Sequence, residues 1–205
     1  MLLASSRIIE DIRILQKSGL ASLAFFYCDF RDDQKKDPRG LLLSLLVQLC
    51  EQSDTYSSII FDFYVAHGRG SQHASDRELL DCLKGMLQLP GQAPVYIIID
   101  GLDECLIAAD LPFPREKALE VVEELFNLRI PNLRICVTSR PEADIILVLE
   151  PLAFRTVSLH DESGHVEDIA EYVRSVVQTS RETQRWKATD RQLVIEELVK
   201  NADGM

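Results

Sequence analysis

The chain has 205 residues, 46% of them hydrophobic, with 22 lysines and arginines against 33 aspartates and glutamates and a formal charge of −11. That is enough apolar mass for one globular domain with a core of its own, and for the start of a second. The acidic balance excludes general affinity for nucleic acid, whose phosphates it repels.

At the amino end, Met1 to Arg7 opens on an apolar stretch too short for a signal peptide, and acidic residues follow it closely. Ala21 to Cys28 is rich in aromatic and aliphatic residues and reads as a buried strand. A charged loop, Arg31 to Gly40, comes next. Within it Asp37 and Pro38 fit a helix N-cap and first helical position, because proline has no amide to leave unsatisfied there. The following run, Leu41 to Cys50, is broken by Ser44 and Gln48 and is half the roughly 20 residues a membrane-spanning helix needs. No membrane partner is expected, and the cytoplasm is the default location. Ala66 to Ala74, with Gly68 and Gly70, reads as a second loop. Ser75-Asp76-Arg77-Glu78 is a capping-box sequence that starts a helix near Asp76.

Three further strands are expected, at Val95 to Ile99, Leu133 to Thr138 and Phe154 to Leu159. Beyond them the pattern turns helical, from about Gly164 to Gln178 and from Asp190 to Asn201. A second capping-box sequence, Thr189-Asp190-Arg191-Gln192, lies at the start of the latter. Strands alternating with helices imply crossover connections, hence an α/β fold with a mainly parallel, three-layer sheet over residues 1–160 and a helical extension over 161–205.

The five cysteines, Cys28, Cys50, Cys82, Cys105 and Cys136, are far apart and form no CxxC pair. They read as small buried hydrophobes in a reducing compartment rather than as zinc ligands. His67, His73, His160 and His165 have no metal-ligand spacing and read as surface residues. No GxSxG elbow is present, and Lys35, Lys36 and Arg39 are interleaved with acids, so neither a hydrolase triad nor a nucleic-acid patch is indicated.

The chemistry concentrates at Val95-Tyr96-Ile97-Ile98-Ile99-Asp100-Gly101-Leu102-Asp103-Glu104, where a buried strand ends in three carboxylates. Such a cluster is costly without counter-charge. At the carboxyl end of a parallel strand Asp100 faces the ligand crevice, where a hard cation can sit. The next strand ends in Thr138-Ser139-Arg140-Pro141, where Pro141 stops the strand pairing.

Residues 97–104 resemble the Walker B strand of NACHT NTPases, within the STAND class of signalling ATPases and GTPases. Leu133 to Pro141 resembles the sensor strand of the same group. Ala24-Phe25-Phe26-Tyr27-Cys28-Asp29-Phe30, with Gly40 to Leu46, is similar to fungal NACHT proteins and to the nephrocystin-like N-terminal module. The resemblance implies Mg²⁺ with ATP or GTP as cofactor, and Asp100 as the magnesium residue. It implies Asp103 and Glu104 as the acidic pair acting on water, Arg140 as a catalytic cation, and Thr138 and Arg140 as nucleotide contacts. It also implies that other protein domains or chains are the partners of the switch.

One element of that pattern is absent. A complete P-loop enzyme needs GxxxxGK[ST], and these 205 residues contain none. Met1 to Lys17 resembles the helix that follows such a loop, so the sheet is expected to lack its first strand. Two functions are consistent with the sequence: a nucleotide-dependent signalling switch with weak or no hydrolysis alone, and a non-catalytic interaction module or gene fragment derived from one.

Overall fold

A computed structural model describes residues 2–29, 38–105, 114–158, 165–180 and 183–200. In chain order the elements are α1 (Leu2–Lys17), β1 (Ser22–Tyr27), α2 (Pro38–Cys50), α3 (Asp54–Ala66), α4 (Asp76–Leu87), β2 (Val95–Asp100), α5 (Pro114–Asn127), β3 (Leu133–Val137), α6 (Ala143–Leu149), α7 (His165–Thr179) and α8 (Ala188–Lys200). Asp37, the expected cap of α2, lies outside the described residues, but α2 starts at Pro38 as the missing proline amide demands. α8 begins two residues before Asp190, so Thr189 lies inside the helix rather than at its cap, and its hydroxyl donates to Asp190 at 3.3 Å.

The three strands form one parallel sheet in the order β1-β2-β3, with Ala24 opposite Ile97 and Ile97 opposite Ile135. Period-two alternation divides their side chains between two apolar layers. Leu23 and Ile98 point to one face, where Ile9 and Ile12 of α1 cover them and the Arg13 guanidinium lies 5.2 Å from the Phe25 ring centre. Ala24, Phe26, Val95, Ile97 and Ile99 point to the other, under α2, α4 and α5. Helices on both faces of a parallel sheet make this the three-layer α/β arrangement, and among the described residues no strand stands for the first strand of a full P-loop domain.

The segment 154–158 does not form the expected fourth strand, and Leu159 lies outside the described residues. Apolar composition is only half of what a strand needs. The other half is a pairing neighbour and a covering layer, and Phe154 is fully exposed. The chain divides into two compact units, Met1–Ala153 and Phe154–Met205. In the second, α7 packs on α8 around Ala170, Val177 and Ile195. Among the described residues no helix is long and apolar enough to cross a membrane.

The capping box of α4 forms as its sequence requires. The Glu78 amide donates to the Ser75 hydroxyl at 3.3 Å, and the Ser75 amide donates to the Glu78 carboxylate at 2.7 Å. His67 is not a free surface residue: its Nδ1 donates to the Phe63 carbonyl at 2.8 Å, its Nε2 lies 3.3 Å from Glu78, and its ring packs on Phe63. His73 is exposed as expected, while nothing is described of His160 or of the His165 side chain.

Hydrogen bonds from the Ser75 side chain and backbone, then from His67, hold the Glu78 carboxyl down at about 2. The carbonyl of Phe63, with Glu78, raises His67 above its usual value. A depressed carboxyl stabilises the fold above its unfolded value of 4.5, and that contribution disappears as pH falls toward 2. The raised histidine works in the opposite sense: its contribution is full below 6.5 and is lost as pH rises through its folded value. Glu78→Gln is therefore expected to flatten the acid limb of the stability curve between pH 5 and 2 (thermal unfolding), and Ser75→Ala to lower stability by roughly 1 kcal/mol at neutral pH.

Candidate functional site

The carboxyl ends of all three strands meet at Asp100. The Cys28 amide donates to the Asp100 carbonyl at 2.9 Å, the Thr138 amide to the Ile99 carbonyl at 2.9 Å, and the Leu102 amide to the Thr138 carbonyl at 3.0 Å. The chain can turn at once after Asp100 because Gly101 takes a left-handed conformation, φ 71°, that side-chain-bearing residues rarely adopt. A short 3-10 turn over Leu102–Glu104 follows and places the other two acids.

Asp100 is 5% exposed, and the Thr138 hydroxyl donates to its Oδ1 while accepting the Gly101 amide at 3.1 Å. Thr138 is thus brought to the site, where it orients the Asp100 carboxylate. Asp103 turns the other way: its side chain is 6% exposed, its Oδ1 accepts the Arg140 amide at 2.9 Å, and its Oδ2 lies 3.5 Å from Arg140 Nε. The Arg140 side chain is 77% exposed. Of the sequence-derived residues, then, Asp100 and Thr138 form one bonded pair and Asp103 and Arg140 another. Glu104, half-buried, directly follows Asp103 at the end of the turn, its Cγ close to Gly101.

The surroundings are thiol-rich. Cys28, buried, is held far above the ordinary thiol range first by its hydrogen bond to Cys105, then by burial and by the charges of Asp100 and Glu104. Burial, with the Asp100 charge, likewise raises Cys136. These groups are neutral neighbours of the acids, not nucleophiles.

Among the described residues no group of three or more His, Cys, Asp or Glu side chains is arranged to hold a metal. Magnesium does not require one: it is commonly bound by one or two carboxylates, several waters and substrate phosphates. The donor chemistry fits that pattern, with one oriented carboxylate, Asp100, at a strand end. A cavity of about 610 Å³ lies at the opposite end of the sheet, lined by uncharged groups such as Gln16, Gln52, Tyr56 and Gln92, and takes no part in this site.

Sequence reasoning missed Arg115. This side chain is buried, 7% exposed, under the acidic turn, where its Nε donates to the Cys105 carbonyl at 3.1 Å and its Nη2 to the Asp103 carbonyl. A readable signal existed, since an arginine in the first turn of a helix faces the positive end of the dipole and so calls for a strong local reason.

Comparison with known proteins places the chain in a family. The vegetative incompatibility protein HET-E-1 of Podospora anserina is 29% identical over 145 residues, which cover 70% of the chain and 10% of that protein, so the chain spans about a tenth of its relative's length. The family model described as nephrocystin 3, N-terminal, matches residues 3–140, from the first turns of α1 to the arginine after β3. The chain belongs to the nephrocystin 3 N-terminal family.

Proposed function

We propose that this chain is the greater part of a NACHT-type nucleotide switch, in which Asp100 holds Mg²⁺ and Arg140 faces the terminal phosphate of ATP or GTP. The observation that carries the reading is the joining of Asp100, oriented by Thr138, to the Asp103–Arg140 pair at the carboxyl end of one parallel sheet. Ligands of open α/β sheets bind at that end. Bound Mg²⁺ would neutralise phosphate charge. Asp103 holds Arg140 and so sets the position of the arginine, and Asp103 with Glu104 forms the acidic pair that acts on water.

A phosphate loop is not among these residues, so the remaining phosphate contacts belong to another segment or chain. β3 is an edge strand, and its outer side is the place for a strand that carries such a loop. The free, largely buried cysteines fit a reducing, cytoplasmic setting. Partners of the switch would be other protein domains or chains.

Titration of Mg²⁺-ATP and Mg²⁺-GTP, followed by binding heat and melting temperature, tests the reading, because a ligand of the native state raises its stability. Micromolar binding with a Mg²⁺-dependent shift would mean that the site works without the loop, and supports the switch. Asp100→Asn should abolish the shift while melting as cooperatively as the parent, since Asn keeps an acceptor for the Thr138 hydroxyl. A shift that survives this substitution removes Asp100 from the metal role. The missing loop favours a second reading, a non-catalytic interaction module, and a folded chain with no binding and no shift would select it.

A further inference from the structure

Three carboxylates gather at residues 100–104, and a buried cation stands beneath them: Arg115, at the second position of α5. A buried guanidinium is tolerated only where its donors are met. Here Nε and Nη2 donate to the carbonyls of Cys105 and Asp103, and Nη1 lies 3.4 Å from Asp144 Oδ2 and 4.0 Å from Glu142 Oε2. The two carbonyls belong to the turn after β2, and the two carboxylates to the start of α6 after β3. One planar fork thus ties the end of β2 to the end of β3. The Asp103–Arg140 pair ties the same two segments a second time, at 2.9 Å.

We propose that Arg115 is a positioning residue, which holds the acidic turn and the Arg140 segment in a single arrangement and so sets the spacing between the carboxylates and the arginine. It touches neither metal nor phosphate. Its importance for nucleotide rests on the reading of Asp100, Glu104 and Arg140 given above. The fork geometry matters as well as the charge: a lysine ammonium is a point donor and cannot span two carbonyls and a carboxylate in fixed directions.

Native-state hydrogen exchange on the whole chain, without nucleotide, tests the coupling directly. In Arg115→Gln the amides of Leu102, Glu104, Cys105 and Arg140 should exchange about ten- to a hundredfold faster, as charge-assisted bonds are lost. Amides within β2 and α4 should keep their rates, and Arg115→Lys should recover only part of the protection. Equal acceleration everywhere would reduce Arg115 to general stability, and an unchanged Arg140 amide would break the proposed link; either result overturns the proposal. Should Arg115→Gln fail to fold, Glu142→Gln with Asp144→Asn removes the opposing carboxylates from the exposed side and should accelerate the same four amides. No acceleration there also overturns it.

Mg²⁺-ATP and Mg²⁺-GTP titrations then separate the two ideas. Binding by the parent and at least tenfold weaker binding by Arg115→Gln supports positioning. Equal binding by both overturns it. Failure of the parent to bind overturns the nucleotide reading, and the exchange pattern still decides whether Arg115 couples the two segments.

Discussion

Gln48→Leu is expected to destabilise the protein by roughly 2–4 kcal/mol in urea unfolding, an unusually large effect for a partly exposed polar residue. β1 is an outer strand, and two glutamine side chains take the place of a further strand along it. Gln48 accepts the Phe25 amide at 3.1 Å and donates to the Phe25 carbonyl at 2.7 Å. Gln52 does the same for Leu23, at 2.9 and 2.6 Å. The match is geometric. Gln48 stands on α2 and Gln52 in the turn just past its end, and together they reach backbone groups two residues apart on β1, about 6.6 Å along the strand. Leucine would leave both the amide and the carbonyl of Phe25 without a protein partner, each at a cost of about 1–3 kcal/mol. Gln48→Glu separates donor from acceptor. Its carboxylate can accept the Phe25 amide but cannot donate to the carbonyl, so its deficit should shrink as pH falls and the acid becomes protonated, while that of Gln48→Leu should not.

Leu45→Ala should cost roughly 3 kcal/mol by the same measurement. α2 carries apolar side chains on nearly every side, and its surroundings explain why: it packs against β1 and against α3, α4 and α5. Leu41, Leu42, Leu45, Leu46 and Leu49 are all buried, Leu45 completely. A helix in that position has no relaxed way to close a hole, since its neighbours are themselves held by the sheet and by each other. Leu43, 41% exposed on the same helix, provides the comparison, and Leu43→Ala should change stability by no more than about 0.5 kcal/mol.

The strands and helix starts that were legible in the sequence share one property: the deciding information is local. Val95–Asp100 is a continuous apolar run closed by an acid, Pro38 can only begin a helix, and Ser75 with Glu78 satisfies its own orphan amides. Phe154 to Leu159 looked equally strand-like, but a strand is completed by a neighbour, and no local pattern reports whether one is present. The candidate site divides in the same way. Asp100, Asp103, Glu104, Thr138 and Arg140 stand at strand ends and can be found by reading outward from apolar runs. Their pairing, Thr138 on Asp100 and Arg140 on Asp103, depends on the register of β2 against β3, which brings together residues 37 and 38 positions apart. Arg115 was harder to find for a related reason: two of its partners are backbone carbonyls, which every residue has, and the carboxylates of Glu142 and Asp144 reach it only through the fold.

The two thiols packed beside the acidic turn give the molecule a built-in chemical clock. Cys28 and Cys105 are 6% and 3% exposed, and Cys28 titrates far above the range in which a thiolate forms readily. An alkylating reagent needs both access and thiolate, so in the closed state this pair is nearly inert. It becomes reactive only when an opening or unfolding event exposes the sulfurs. The rate at which these two sulfurs are labelled, against the rate for half-buried Cys50 on α2, therefore counts how often this part of the core is exposed.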